Sequence, residues 1–190
     1  MIAEITPGTL DGAAELLSKA GISVAGVGYP SLAKAICLDS IVDRGPVILV
    51  NQKGNAIQGV VLAIVNAPQY FKRFLVRHPR FACRLLILRF SRTKPVVNDD
   101  DLQTGEEGNQ SAFDIDWDTS RNDVARIVFI AVDAGARKSG IATSLHSSLF
   151  ENLRQRGIKT VLAQIGTTNH SSLELHRRTE WILGRRGGYW

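Results

Sequence analysis

The sequence predicts an α/β fold, and three observations carry that expectation. Pro46–Asn51 and Ala56–Val65 are β-rich runs joined by Gln52-Lys53-Gly54-Asn55, whose Gly-Asn pair suits a tight antiparallel hairpin. Val124–Val132 (VARIVFIAV) is almost continuously apolar, as expected of a strand buried in mid-sheet. From there the chain reads strand, glycine-rich turn, helix and strand up to Ile165, a βαβ unit that implies a parallel pair or a closely related crossover.

The other elements follow from local chemistry. Ile2–Ile5 is a short strand, and Thr6-Pro7 opens a helix with apolar positions at Leu10, Ala13, Ala14, Leu16 and Leu17 that Gly21 ends. A second helix is expected from about Ser31 to Val42, burying Leu32, Ala35, Ile36 and Ile41. Residues 68–94 read as helical through Phe71, Phe74, Leu75, Phe81, Leu85 and Leu88, with a restart at Pro79. Residues 95–120 are acidic and turn-rich and read as a loop. After the turn Asp133-Ala134-Gly135-Ala136-Arg137-Lys138-Ser139-Gly140, a helix places Ile141, Leu145, Leu149 and Leu153 at i+4 spacing, with Gly157 turning the chain out. A strand at Thr160–Ile165 follows, then Ser171-Ser172-Leu173-Glu174 with the spacing of a capping box, and a short Trp181–Leu183 strand.

Composition narrows the class. With 190 residues, 44% hydrophobic and 22% charged, the chain fits one soluble globular domain, not a disordered, collagen-like or disulfide-stapled one. Cys37 and Cys83 have no C-x-x-C spacing, the longest apolar stretch (Gly59 to Ala67) is far short of a membrane span, and the N-terminus lacks a basic n-region. The expected setting is the cytoplasm. His78, His146 and His170 form no ligand spacing with either cysteine, so no metal is expected. The net charge of +5 conceals larger blocks: residues 72–94 hold eight Lys or Arg and no acid, 99–118 hold eight Asp or Glu and no base, and 121–190 hold 11 basic against 5 acidic residues. Arg73, Arg77, Arg80 and Arg84 recur at helical spacing, a stripe suited either to plain solvation or to phosphate groups and anionic lipid heads.

The surplus charge in 121–190 surrounds Arg137-Lys138-Ser139-Gly140-Ile141-Ala142. A turn that feeds straight into a helix leaves the first helical N–H groups unpaired at the positive end of the dipole, which makes an anion site. Gly140 permits close backbone approach, Ala142 keeps the path clear, and Arg137 and Lys138 add charge. A Walker loop is absent, and Gly26-Val27-Gly28 lacks the third glycine of a dinucleotide fingerprint.

These residues resemble a known family. Val132 with Arg137–Ala142 is similar to the Arg/Gln-x-x-Gly-x-Gly/Ala motif of the GNAT superfamily of N-acetyltransferases, and Asn169 to Trp181 (NHSSLELHRRTEW) is similar to that family's Asn-led segment before its last helix and strand. Glu180 stands where the family usually has Gly, His176 where many members have Tyr, and the chain closes with little sequence for the usual final hairpin. The resemblance covers nearly the whole chain. It implies a single GNAT-like domain over residues 1–190, with about 70–120 as an inserted substrate-side region, and a mixed, mostly antiparallel sheet flanked by helices with a βαβ unit that binds acetyl-CoA. It also implies that Arg137, Lys138, Ser139, Gly140, Ile141, Ala142 and Thr143 hold the pyrophosphate, with Asn169 and Ser172 as further coenzyme contacts.

Aminolysis of a thioester needs a neutral amine, so an acceptor ammonium with a pKa near 10 must first lose a proton, and a general base has more to do than a general acid. A backbone N–H near Ile130 or Val132 would polarise the thioester carbonyl. The strand carries no Glu, which leaves Asp133, a carboxylate from 114–118 or a water chain as base, and His176 as candidate acid. The expected activity is acetyl transfer from acetyl-CoA to a primary amine of a small acceptor, with an amino sugar or nucleotide-linked amino sugar as first guess. A catalytically silent CoA-binding domain and a peripheral membrane protein using residues 72–94 are the alternatives. The expected partners are acetyl-CoA and the amine, without nucleic acid. Weak membrane-surface contact and a homodimer are left open.

Overall fold

In the computed structural model the described residues are 1–19, 23–24, 27–28, 30–42, 46–83, 121–163, 165 and 169–179. Arg84, Leu85 and Leu88, the 95–120 loop with its acidic block, and the Trp181–Leu183 strand lie outside them.

Long β-branched runs build the sheet. β1 (Ile2–Glu4), β4 (Pro46–Lys53), β5 (Ala56–Val65), β6 (Val124–Val132) and β7 (Thr160–Ala163) form five strands in the order β1-β4-β5-β6-β7, while β2 (Ser23–Val24) and β3 (Val27–Gly28) pair separately. The first three pairings are antiparallel and β6·β7 is parallel, so the mixed, mostly antiparallel sheet is as expected. The hairpin connection is tighter than the four residues read from sequence. Gln52 and Lys53 stay in the strand, and the turn is Gly54-Asn55, with Gly54 in the left-handed region at φ 59°.

Helices cover both faces. α1 (Leu10–Lys19), α2 (Pro30–Val42) and α3 (Ala67–Arg77) pack on one, where Leu17, Leu32, Phe74 and Tyr70 meet Ile48, Val50, Val60, Leu62 and Ile64. On the other face α4 (Ile141–Gln155) lays Leu145, Leu149 and Leu153, all at most 1% exposed, against Val47, Leu49, Val61, Ala63, Ala125 and Ile127. Each such leucine contributes about 1.5–3 kcal/mol of burial, which makes α4 a firmly seated element. α5 (His170–Arg178) buries Leu173 and His176.

Several expectations shift in detail. Thr6-Pro7 forms a turn before α1, which starts at Leu10, with the Thr6 N–H donating to Thr9 Oγ1 at 2.9 Å. Ile41 is 40% exposed, so the buried stripe of α2 stops at Cys37 and Asp39. The helix read over 68–94 is α3 plus a helical stretch at 79–83, broken at His78 because Pro79 disfavours helical geometry in the residue before it. The β2·β3 pair had no clear signal in sequence.

A register shift in β5·β6 leaves Val128 unpaired between Leu62↔Phe129 and Ala63↔Ile127, so Val128 and Phe129 both pack with the α1–α3 face. The chain leaves β5 at Val65 and re-enters β6 beside it. The Asn66 N–H donates to the Val124 carbonyl at 3.3 Å and Asn66 Nδ2 donates to Asn122 Oδ1 at 2.6 Å, pinning exit to return. Among the described residues no helix is long and apolar enough to cross a membrane.

Candidate functional site

β6 is paired on both sides for only part of its length. β5 accompanies it to Val132, whereas β7 pairs only with Val124 to Ile127. From Val128 onward β6 has an edge facing away from β5 with no strand partner among the described residues. The direction of its N–H groups follows from one bond: the Asp133 N–H donates to the Gln58 carbonyl at 2.9 Å, toward β5. Backbone groups alternate sides along an antiparallel strand, so Phe129 and Ala131 also point toward β5, and the N–H groups of Ile130 and Val132 point to the open edge.

The turn after β6 delivers the chain to α4. Asp133 is exposed and its Oδ1 accepts from the Gly135 N–H at 3.0 Å, closing a single 3-10 turn at Ala134–Ala136. Ser139 Oγ donates to the Ala136 carbonyl, tying down the far side. Lys138 (φ 61°) and Gly140 (φ 79°, ψ 1°) both adopt left-handed backbone, and Gly140 passes directly into helical Ile141. A left-handed residue followed by a right-handed one turns successive N–H groups into one concavity. Gly140 caps α4 without a side-chain hydrogen bond, and Ser144 is the first residue to donate back, to the Gly140 carbonyl at 3.0 Å. The N–H groups of Ile141, Ala142 and Thr143 are thus presented beyond the helix start. Arg137, Lys138, Ser139, Gly140 and Thr143 are exposed, and among the described residues no non-adjacent atom lies within 4 Å of where a Gly140 Cβ would point.

These two features adjoin. Gly59 pairs with Val132, and the first turn of α4 rests on Gly59 through Ile141 and Leu145. The C-terminal end of α1 also reaches this corner: the pKa of the exposed Lys19 is raised, chiefly by Glu15 at 2.7 Å and further by the Asp133 carboxylate. The structure therefore brings Ile130, Val132, Asp133, Arg137–Thr143 and the end of α1 together.

The α5 residues sit differently. Asn169, not Ser171, caps α5, its Oδ1 accepting from the Ser172 N–H at 3.1 Å. Asn and Ser both serve as N-caps, and the earlier one prevailed, so the helix begins at His170. His176 is 2% exposed and its ring lies 5.2 Å from that of His146 on α4, edge to face. Its Nδ1 donates to the Ser172 carbonyl at 2.7 Å. Burial lowers its pKa, only partly offset by that bond, and His146 is pushed down to about 4 by burial and by His176. Both rings are neutral near pH 7. A neutral His176 that donates through Nδ1 carries a lone pair on Nε2, which suits accepting a proton and not donating one there. Among the described residues, no group of three or more His, Cys, Asp or Glu is arranged to hold a metal ion.

Sequence reasoning singled out neither Gly59 nor Lys19 for this corner. A lone glycine inside an otherwise β-branched strand was the available signal for Gly59, since it marks close backbone approach. Lys19 carried none.

Comparison with known proteins bears on the fold. Residues 110–180 match the model of the acetyltransferase (GNAT) family. No curated protein sequence matches the chain. Among solved structures, the aminoglycoside acetyltransferase AAC(6')-Iy in complex with the bisubstrate analogue CoA-S-monomethyl-acetylneamine superposes with a TM-score of 0.60 at 12% identity, covering 98% of this chain and 92% of that one. The aminoglycoside 6'-N-acetyltransferase of Acinetobacter haemolyticus gives 0.58 at 13% identity over 100% and 96%. The ribosomal-protein-S18-alanine N-acetyltransferase of Escherichia coli gives 0.55 at 11% over 97% and 79%. Residues 110–180 thus resemble the GNAT acetyltransferase family in sequence, and nearly the whole chain shares the fold of these acetyltransferases.

Proposed function

We propose that the protein transfers an acetyl group from acetyl-CoA to a primary amine of a small acceptor. The observation that carries this reading is the junction of an open strand edge with an open helix start: N–H groups of Ile130 and Val132 on one side, those of Ile141 to Thr143 on the other. The donors, the left-handed Gly140 and the exposed Arg137 and Lys138 fit a diphosphate. A structure of AAC(6')-Iy in complex with CoA supports the same ligand.

Acetyl-CoA supplies a thioester acyl group open to attack by a neutral amine. The Ile130 or Val132 N–H donates to the carbonyl oxygen as it gains negative charge. Asp133 takes the proton from the acceptor ammonium, directly or through water, from its exposed place beside the open edge. The amine nitrogen then forms the new C–N bond as the C–S bond breaks, and the departing thiolate takes up, directly or through water, the proton that the acylated nitrogen loses, with none supplied by His176. For the acceptor we favour an amino sugar, in keeping with the aminoglycoside acetyltransferases that share the fold. Cytoplasmic location and the inserted character of 70–120 belong to the same reading.

CoA is expected to raise the melting temperature at tens of micromolar, and an amine panel assayed for released thiol is expected to show turnover above hydrolysis. No stabilisation at millimolar CoA would overturn the reading. Stabilisation without turnover on any amine would leave a silent CoA-binding domain, which the lack of a carboxylate along β6 favours.

His176→Asn keeps a donor near Nδ1 and removes Nε2. Its kcat is expected to fall less than tenfold, measured with saturating acetyl-CoA. A loss beyond a hundredfold at unchanged melting temperature would restore His176 as the acid.

A further inference from the structure

Three features lie outside the residues assigned above. The basic face of α3 holds exposed Lys72, Arg73 and Arg77 around Val76 at 81% exposure, with Arg80 in the helical stretch that follows, but the same chain carries a matching acidic block, so an outside partner does not follow. Asp39, 5% exposed, meets Arg77 at 3.3 Å and His78 Nε2 at 3.4 Å, a cluster that ties α2 to the end of α3 and shows no open site. The third feature is a contact at the site itself.

We infer that Gly59 is a positioning residue for the cosubstrate: by having no side chain it sets how deeply the first turn of α4 settles on β5, and hence where its open N–H groups stand relative to the edge of β6. A Cβ built on Gly59 would lie 2.6 Å from Ile141 Cγ2, 2.9 Å from Leu145 Cδ1 and 3.5 Å from the Ala131 carbonyl oxygen. The first two distances are shorter than carbon atoms tolerate. Leu145 Cδ1 is the end of a flexible side chain and can turn aside. Ile141 Cγ2 is attached to a β-branched carbon with a stiff χ1, so relief there must come from the helix backbone. Ile141 is the first residue of α4 and immediately follows Gly140, so any lift is transmitted to the proposed anion site. Leu149 and Leu153, further along, are anchored independently in the core and hold the rest of the helix in place. A methyl at position 59 would therefore tilt the start of α4 more than its end. Because Gly59 pairs with Val132, the strand edge and the helix start share this one point of support.

This inference rests on the reading that α4 receives the diphosphate of CoA, and the test separates the two. Gly59→Ala is expected to weaken CoA binding at least tenfold by calorimetry and to raise the KM for acetyl-CoA by the same factor, while kcat stays within threefold of wild type. Gly59→Ala/Ile141→Ala, which gives the methyl room, is expected to bind CoA within threefold of Ile141→Ala alone. Wild-type affinity in Gly59→Ala, or a double variant as weak as the single, overturns the role of Gly59. Absence of CoA binding in wild type overturns the diphosphate reading and this role with it. If Gly59→Ala is not recovered folded, the double variant against Ile141→Ala carries the test, and tenfold weaker binding there overturns the inference.

Discussion

Gly140→Asp is expected to abolish CoA-dependent stabilisation while leaving the apo protein folded. The position is left-handed at φ 79°, and among the described residues no non-adjacent atom lies within 4 Å of a new Cβ, so the described fold meets only the backbone penalty of a side chain in that region. That penalty is about 1 kcal/mol and smaller for Asn and Asp, which tolerate the conformation best. The carboxylate, however, would stand among the N–H groups meant for a diphosphate and would bring like charge to it. Gly140→Asn has nearly the same shape and backbone preference without the charge. The expected pattern is therefore a melting temperature within a few degrees of wild type for both, loss of CoA binding by a hundredfold or more in Asp, and a loss below tenfold in Asn. Equal losses in the two would assign the effect to shape. Undiminished binding in Gly140→Asp would mean that the anion site lies elsewhere.

The second large effect is on stability as the solution is acidified. His146 is fully buried on α4, with the Phe150 ring 4.4 Å away and the His176 ring at 5.2 Å. Burial, reinforced by His176, holds its folded pKa at about 4 against 6.5 when free. Between those values the unfolded chain binds a proton that the folded chain refuses, so stability is lost as pH falls from 6.5 toward 4 and is full above 6.5. The loss is about 2 kcal/mol by pH 5 and about 3 kcal/mol by pH 4, and His176, shifted in the same direction, adds to it. Urea titrations at pH 7.5 and pH 5 measure it directly, and His146→Gln is expected to flatten the dependence. Coincident wild-type midpoints at the two pH values would falsify the buried neutral state of His146.

Much of the fold was legible because long apolar runs leave few choices. β6 was bounded to the residue, and the helix after it was anchored by leucines four apart and ended by Gly157, which is left-handed at φ 77°. The turn between Val132 and Ile141 was legible for the same reason, since the strand end and the helix start leave only the glycine-containing segment to connect them. What could not be read depends on tertiary contact. His146 lies one residue off the Leu145–Leu149 stripe, and sequence alone does not say that α5 arrives to cover it. Asn169 and Ser171 are both competent caps two residues apart, and propensity does not rank them firmly. Ile41 suits a core by composition, yet it stands in the last turn of α2 where the core has already ended. The open stretch of β6 depends on how far β7 runs alongside it, a property of two strands and of neither sequence by itself.

The pin between Asn66 and Asn122 bears on how this chain tolerates change in length. Seven residue pairs hold β5 against β6, and the two Asn side chains close the gap at their common end, so the intervening chain departs and returns through one gate. Loop closure grows only logarithmically, by about 0.6 kcal/mol per doubling of length. Added length behind that gate is therefore nearly free of closure cost, whereas α3, whose Tyr70 and Phe74 lie in the core, is not dispensable. Such a joint lets one part of a protein be rewritten over generations while the rest is kept.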